Sequence, residues 1–132
     1  MRYIVGVCIA LLFFEVYGDD KYFLELRENV MSPYINECIC ATKVKEILVQ
    51  KWFTLGEFTN DPCLKCFVKC MSIKVGFIDE MGTPSVNTAV TKYHAPPELI
   101  KKCIDNNKNI LDICEKSYRI GQCVVSGMLS KN

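Results

Sequence analysis

The chain has 132 residues, half of them hydrophobic, and its 16 basic and 15 acidic side chains leave a formal net charge of +1. The length fits one compact domain, and the spread of basic residues argues against a nucleic-acid binder, which needs a concentrated positive face. A single histidine leaves few ways to build a His-dependent active site, whereas nine cysteines are far more than an ordinary cytosolic protein carries.

The N-terminus has the pattern of a secretory leader. Arg2 precedes a 12-residue apolar run, YIVGVCIALLFF, over residues 3–14, which is shorter than the about 20 apolar residues that a membrane span needs. Glu15 ends the run, and a small residue, Gly18, closes a fitting cleavage site. We therefore predict a signal peptide over residues 1–18, a secreted mature domain over residues 19–132, and no stable membrane insertion.

The mature chain has helical periodicity from residue 20 onward, and strand-like alternation is absent. Pro33 kinks or breaks the first segment, Gly56 ends another, and Asp61 followed by Pro62 is a helix-start signal. In chain order, the predicted helices cover residues 20–32, 33–41, 43–53, 62–76, 85–94, 96–106 and 110–129. The predicted fold class is all-α, with about six short helices.

The cysteines have an informative arrangement on these helices. Removal of the leader leaves eight of them, and an even number in a short secreted chain indicates a disulfide framework. At about 100° per residue, Cys63, Cys66 and Cys70 lie within roughly 60° of one another. Cys114 and Cys123 are nine residues apart, about 180° around the last helix, so they serve different neighbours. Such cross-links can offset an incomplete core and allow a hollow interior.

The spacings between the cysteines, taken together, form a distinctive pattern. Three residues separate Cys66 from Cys70, eight separate Cys114 from Cys123, and Cys103 lies between these pairs. Over nearly the whole mature chain, this pattern resembles the insect odorant-binding proteins, which are secreted six-cysteine carriers of pheromones and general odorants. These five positions match the family's second to sixth cysteines.

Short segments around these cysteines add to the resemblance. GEF at 56–58, LKCFVKC at 64–70 and CEKSY at 114–118 look like the family's local sequence. Cys38 matches the first family cysteine, because TKV follows at 42–44 where the family often has Thr-Gly-Val.

The resemblance implies a disulfide pairing. The family joins its first cysteine to its third, second to fifth and fourth to sixth. Carried over, this pairing gives the bridges Cys38–Cys70, Cys66–Cys114 and Cys103–Cys123. Cys40 and Cys63 are additional to the family pattern. We predict a fourth bridge between them, which would leave no free thiol. Exchange of partners between Cys38 and Cys40 stays open, because they are only two residues apart.

The resemblance further implies a helical bundle around an apolar cavity. Such a protein reversibly binds small hydrophobic molecules, such as odorants or pheromones, and delivers them to membrane receptors. It implies no catalytic residue, no metal and no cofactor. Family pocket residues do not transfer by motif, so our candidates come from the apolar faces of the helices over 62–76 and 110–129. They are Val68, Met71, Val75, Tyr118, Gly121, Val125, Met128 and Leu129. The Tyr118 hydroxyl is the predicted polar anchor.

Other interpretations of single features are weaker. Cys63 and Cys66 have redox or zinc spacing, but structural bridging is favoured in a secreted chain. His94 could act as a pH switch, yet an exposed histidine at a helix end is the simpler interpretation. A hydrolase would need a carboxylate near His94, which the surrounding sequence lacks. The alternative function is a venom-type or membrane-active helical protein, although that requires an exposed basic face. The ligand, the tissue and whether the chain forms a homodimer are left open.

Overall fold

The computed structural model describes residues 26–130, with side chains from residue 28 onward. The predicted leader and the start of the helix predicted over 20–32 lie outside these residues. The elements are a short π-helix, Leu26–Met31, and six α-helices: α1 (Ser32–Thr42), α2 (Glu46–Leu55), α3 (Pro62–Lys74), α4 (Val86–Thr91), α5 (Pro97–Asn106) and α6 (Ile113–Leu129). The predicted all-α class is confirmed. Within the described range, no helix is both long enough and apolar enough to span a membrane.

Side-chain caps determine where the central helices begin. Asp61 accepts a backbone N–H of the first turn of α3 at 2.9 Å, and Pro62 takes the first helical position, as predicted. Asp112 accepts the N–H of Glu115 at 2.7 Å. Because a capping residue has a non-helical backbone, α6 begins at Ile113 and not at residue 110.

Left-handed backbone follows three of the helices, at Lys43 (φ +57°) directly after α1, at Gly56 directly after α2 and at His94 three residues after α4. Gly56 has φ +65° after α2, and its N–H donates to the Trp52 carbonyl at 3.1 Å. Helix α4 ends at Thr91, earlier than the predicted residue 94. His94 has φ +55°, a region that a helix cannot include.

Residues from Tyr34 onward form one compact unit, and its core lies where α3 packs against α6. Helix α6 also packs against α5, and α5 against α4. Buried apolar side chains come from α2, α3, α5 and α6: Val49, Leu64, Phe67, Val68, Met71, Ile100, Tyr118 and Ile120. The Trp52 ring meets the Phe67 ring edge-on at 5.4 Å between centroids, so Trp52 is a packing residue.

Three disulfides tie the helices together, and they are the three that the resemblance implies. Cys38–Cys70 joins α1 to α3, Cys66–Cys114 joins α3 to the start of α6, and Cys103–Cys123 joins α5 to α6. Helix α3 is therefore attached to two neighbours and α6 is held from two sides, as the helical positions of their cysteines require.

The additional Cys40–Cys63 bridge is absent, which corrects the prediction. Cys40 and Cys63 are free thiols, and both are exposed. Cys38 is completely buried in its bridge with Cys70. Because Cys40 is two residues further along α1, about 200° around the helix, its side chain points toward solvent. Cys38 therefore has the role of the first family cysteine.

Candidate ligand site

The centre of α6 has a notch at Gly121, facing α3. A Cβ atom at Gly121 would lie 3.5 Å from Val68 Cγ1 on α3 and 3.4 Å from Cε1 of the Phe58 ring. Glycine therefore leaves room beside α6, and a phenyl ring occupies that room. The ring comes from the segment between α2 and α3, not from a helix.

Phe58 is held in the notch by two contacts with Tyr118. The Tyr118 hydroxyl donates to the Phe58 carbonyl oxygen at 2.7 Å. The two rings meet at 72° with centroids 5.6 Å apart, an edge-to-face geometry that adds to the energy of burial. Just before Phe58, the backbone of Gly56 also approaches α6, because a Cβ there would lie 3.6 Å from Val125 Cγ1.

The predicted pocket residues differ in how deeply they are buried. Val68, Met71, Val75 and Tyr118 are all buried, and Gly121, Val125 and Met128 are half-buried. Val68, Tyr118 and Gly121 come together around the Phe58 ring. Leu129, the last residue of α6, is 53% exposed, so its side chain is not enclosed.

The Tyr118 hydroxyl was predicted to anchor a ligand, but its hydrogen is already directed to the Phe58 carbonyl. A phenolic oxygen can still accept a hydrogen bond when its own hydrogen is engaged. Any polar contact between Tyr118 and a ligand in this arrangement must therefore have the ligand as the donor.

Charged groups flank the site on the same helices. Lys65 Nζ lies 2.5 Å from Glu115 Oε2, and Arg119 Nε lies 2.9 Å from Glu115 Oε1. Lys65 Nζ also lies 5.2 Å from the centre of the Tyr118 ring. The hydrogen bond from Lys65, and then that from Arg119, holds the pKa of Glu115 below its usual value. These charges satisfy one another, and the contacts inside the notch are apolar.

Two side chains that pack against α6 were missed by the sequence-based reasoning. Phe58 was noted only as part of a family-like segment, and Leu99 was not singled out. A Cβ at Gly127 would lie 2.3 Å from Leu99 Cδ1, so Leu99 of α5 packs directly over that glycine. The signal that could have found both is the pair of glycines on α6, since a glycine inside a helix often marks a close approach.

A separate surface groove of about 640 Å³ runs along α5 and is open to solvent. Charged and polar residues line it together with apolar surface: Val86, Glu98, Lys101, Lys102, Ile104, Asp105, Asn106 and Lys108. None of the predicted pocket residues lines it.

The alternative interpretations of single residues can now be settled in part. Cys66 is bonded to Cys114, which leaves its thiolate unavailable for the zinc or redox alternatives. His94 is exposed and follows the end of α4. Among the described residues, no group of three or more His, Cys, Asp or Glu side chains is placed to hold a metal ion.

Comparison with known proteins identifies the family of the chain. The model of the PBP/GOBP family matches residues 22–126. The chain belongs to this family. General odorant-binding protein 99a of Drosophila melanogaster is 23% identical, over 99% of this chain and 94% of that protein. No solved structure matches the chain.

Membership of the PBP/GOBP family confirms the resemblance found in the cysteine spacing. The chain is an insect odorant-binding protein, from a family of small odorant carriers that are not enzymes. Proteins of this family are secreted and bind small hydrophobic ligands.

Proposed function

We propose that this protein is a secreted carrier that reversibly binds a small hydrophobic molecule between α3 and α6. The observation that carries the proposal is the Gly121 notch. A loop phenyl ring, and not a helix side chain, fills the space between two helices that the Cys66–Cys114 bridge ties together. The disulfides support it further, because they allow the bundle to tolerate a site that is not permanently filled.

The expected affinity follows from the apolar area that a ligand buries. Burial of about 250 Å² of ligand surface contributes on the order of 6 kcal/mol, whereas micromolar binding needs about 8 kcal/mol. Close packing, together with a hydrogen bond donated to the Tyr118 oxygen that contributes about 1 kcal/mol, must supply the difference. Selectivity should be modest, because one methylene group in an apolar pocket changes affinity only about tenfold.

The first test is titration of the oxidised protein, residues 19–132, with an apolar dye whose fluorescence depends on its environment. We expect saturable one-site binding at micromolar concentration and displacement by volatile alcohols, esters or fatty acids. Gly121→Leu should weaken binding strongly because it fills the notch. Ser126→Leu, at an exposed position of the same helix, is the matched control and should leave binding unchanged. No binding by a protein with all three bridges intact contradicts the proposal.

The proposal includes the leader and the partners. We expect cleavage after Gly18 on secretion, which N-terminal sequencing of the secreted protein measures. A membrane receptor is the proposed recipient of the ligand, and a second copy of the chain is a further candidate partner. Met81 and Leu111, which are 81% and 95% exposed, offer apolar surface for either. Sedimentation at increasing concentration tests the homodimer.

A further inference from the structure

The Phe58 ring has the position and the surroundings of a bound aromatic ligand. It meets the α6 backbone at Gly121, where a Cβ would lie 3.4 Å from Cε1 and 3.7 Å from Cζ. Val68 Cγ1 borders the same point, and the Tyr118 ring meets it at 72°. The notch is therefore bordered by the α6 backbone and the Val68 methyl group, and the Tyr118 ring packs against the ring that occupies it.

The ring can leave this position without moving a helix. Phe58 belongs to the segment between Leu55, where α2 ends, and Pro62, where α3 begins. Its backbone is fixed by the hydrogen bond from Tyr118 to its carbonyl oxygen. Its side chain is only half-buried. Rotation about the side-chain bonds therefore suffices to move the ring toward solvent.

We propose that Phe58 is an internal competitor for the ligand site, and that the space it occupies takes a single six-membered aromatic ring. This inference rests on the carrier function proposed above and names the ligand class for that site. A ligand binds when the Phe58 ring swings out and the ligand's ring replaces it against Gly121, Val68 and Tyr118. The apparent affinity is reduced by the fraction of molecules in which Phe58 occupies the notch.

Removal of the competing ring should create an apolar cavity of the kind that binds benzene-sized molecules. The experiment uses the oxidised protein with its three bridges verified, and compares wild type with Phe58→Ala. Toluene is the single-ring probe and dodecanol is the probe without a ring. We expect Phe58→Ala to bind toluene at least about tenfold more tightly than wild type, with a much smaller change for dodecanol.

Two further variants make this comparison specific. Phe77→Ala removes another half-buried phenylalanine, one that packs against the cluster of Ala89, Ala95 and Ile100. It should leave toluene binding unchanged. Addition of Gly121→Leu to Phe58→Ala refills the space and should abolish the gain. A folded Phe58→Ala protein that binds toluene no better than wild type overturns the proposal.

A measurement on the wild-type protein keeps the test independent of how the variants fold. Toluene titration followed by NMR should shift the methyl signals of Val68 and the ring signals of Tyr118, and leave the methyl signal of Ala89 unchanged. Shifts at Ala89 without shifts at Val68 overturn the proposal.

The two proposals fail in different ways. If wild type binds the apolar dye but Phe58→Ala gains no affinity for toluene, the internal-competitor proposal fails and the carrier function stands. If Phe58→Ala binds toluene but wild type binds neither dye nor any displacing ligand, the notch is an aromatic site and the carrier function fails.

Discussion

Single glycines allow close approaches in this protein that no other residue permits. Gly82 has φ +82°, and a Cβ there would lie 2.8 Å from Cγ2 and 3.1 Å from Cγ1 of Ile113, at the start of α6. Gly76 has nearly the same backbone conformation, φ +79°, but its Cβ would meet only Thr88 Cγ2 at 3.9 Å. The two glycines therefore share a left-handed backbone, but only Gly82 lacks room for a Cβ atom.

Gly82→Ala should destabilise the protein more than Gly76→Ala. Both substitutions introduce left-handed strain of roughly 1–2 kcal/mol, and only Gly82→Ala adds overpacking of roughly 1–3 kcal/mol against Ile113. Urea unfolding of both variants measures the difference, with Gly76→Ala as the matched control. Equal losses of stability would mean that Ile113 moves aside without penalty.

At the level of elements, the contact between α3 and α6 includes a charge network as well as apolar packing. Glu115 in the first turn of α6 pairs with Lys65 of α3 at 2.5 Å and with Arg119 one turn further along α6 at 2.9 Å. Hydrogen bonds from Lys65 and Arg119 lower the pKa of Glu115. Folding therefore favours the ionised carboxylate, and the network contributes to the stability of the pairing of α3 with α6.

The lowered pKa of Glu115 predicts a pH dependence of stability. A carboxyl group whose pKa is lower in the folded state stabilises the protein at pH values above its ordinary pKa, and this contribution disappears as the pH falls through the folded-state pKa. Glu115→Gln should therefore lower the melting temperature at pH 7, with a loss of up to about 1 kcal/mol for a partly exposed network. The difference from wild type should shrink toward zero in strong acid.

Melting curves of wild type and Glu115→Gln over a pH series measure this effect. Glu57→Gln, which neutralises an exposed carboxylate outside the network, is the control and should have a melting temperature close to that of wild type throughout. A difference between Glu115→Gln and wild type that persists unchanged in strong acid would show that lost packing, and not lost charge, is responsible.

For the molecule as a whole, the disulfides are a large part of the stability. They close loops with sequence separations of 32, 48 and 20 residues, and bridges of these lengths contribute about 3–4 kcal/mol each in the chain-entropy model. The total stability of a typical domain is only about 5–15 kcal/mol. The bundle therefore depends on its cross-links, and a strong reductant should unfold it.

The two remaining thiols predict a contrast between cysteine pairs. The native protein should have two thiols that react without denaturant, Cys40 and Cys63, because both are exposed. Cys40→Ser with Cys63→Ser should remove this reactivity and leave the urea midpoint unchanged. Cys66→Ala with Cys114→Ala should lose about 4 kcal/mol, because that bridge closes the longest loop. If the native protein has no reactive thiol, Cys40 and Cys63 form the additional bridge.

Most of the fold could be predicted because it depends on local patterns. Helical periodicity, Gly56 as a helix stop, and Asp61 followed by Pro62 as a helix start all act within a few residues of the chain, and the helices lie where these signals place them. The errors at helix boundaries have equally local causes. The cap at Asp112 moved the start of α6 to Ile113, and the left-handed backbone of His94 excludes residue 94 from α4.

The candidate site could be predicted only in part. Val68, Tyr118 and Gly121 were found because they lie on apolar helix faces, and the structure brings them together. Phe58 was missed because an irregular segment has no periodicity from which to infer where a side chain points. The additional bridge was predicted from a count of cysteines, but a disulfide requires facing side chains, and Cys40 points away from the face that carries Cys38.

The sequence by itself determined the helical class, the family and the cysteines available for bridging, because periodicity and spacing are properties of the chain read along its length. The tertiary structure alone decided that a phenyl ring enters the Gly121 notch, that Cys40 and Cys63 stay unpaired, and that Lys65 meets Glu115. Each of these depends on the distance and orientation between residues far apart in the chain, and those arise only when the helices pack.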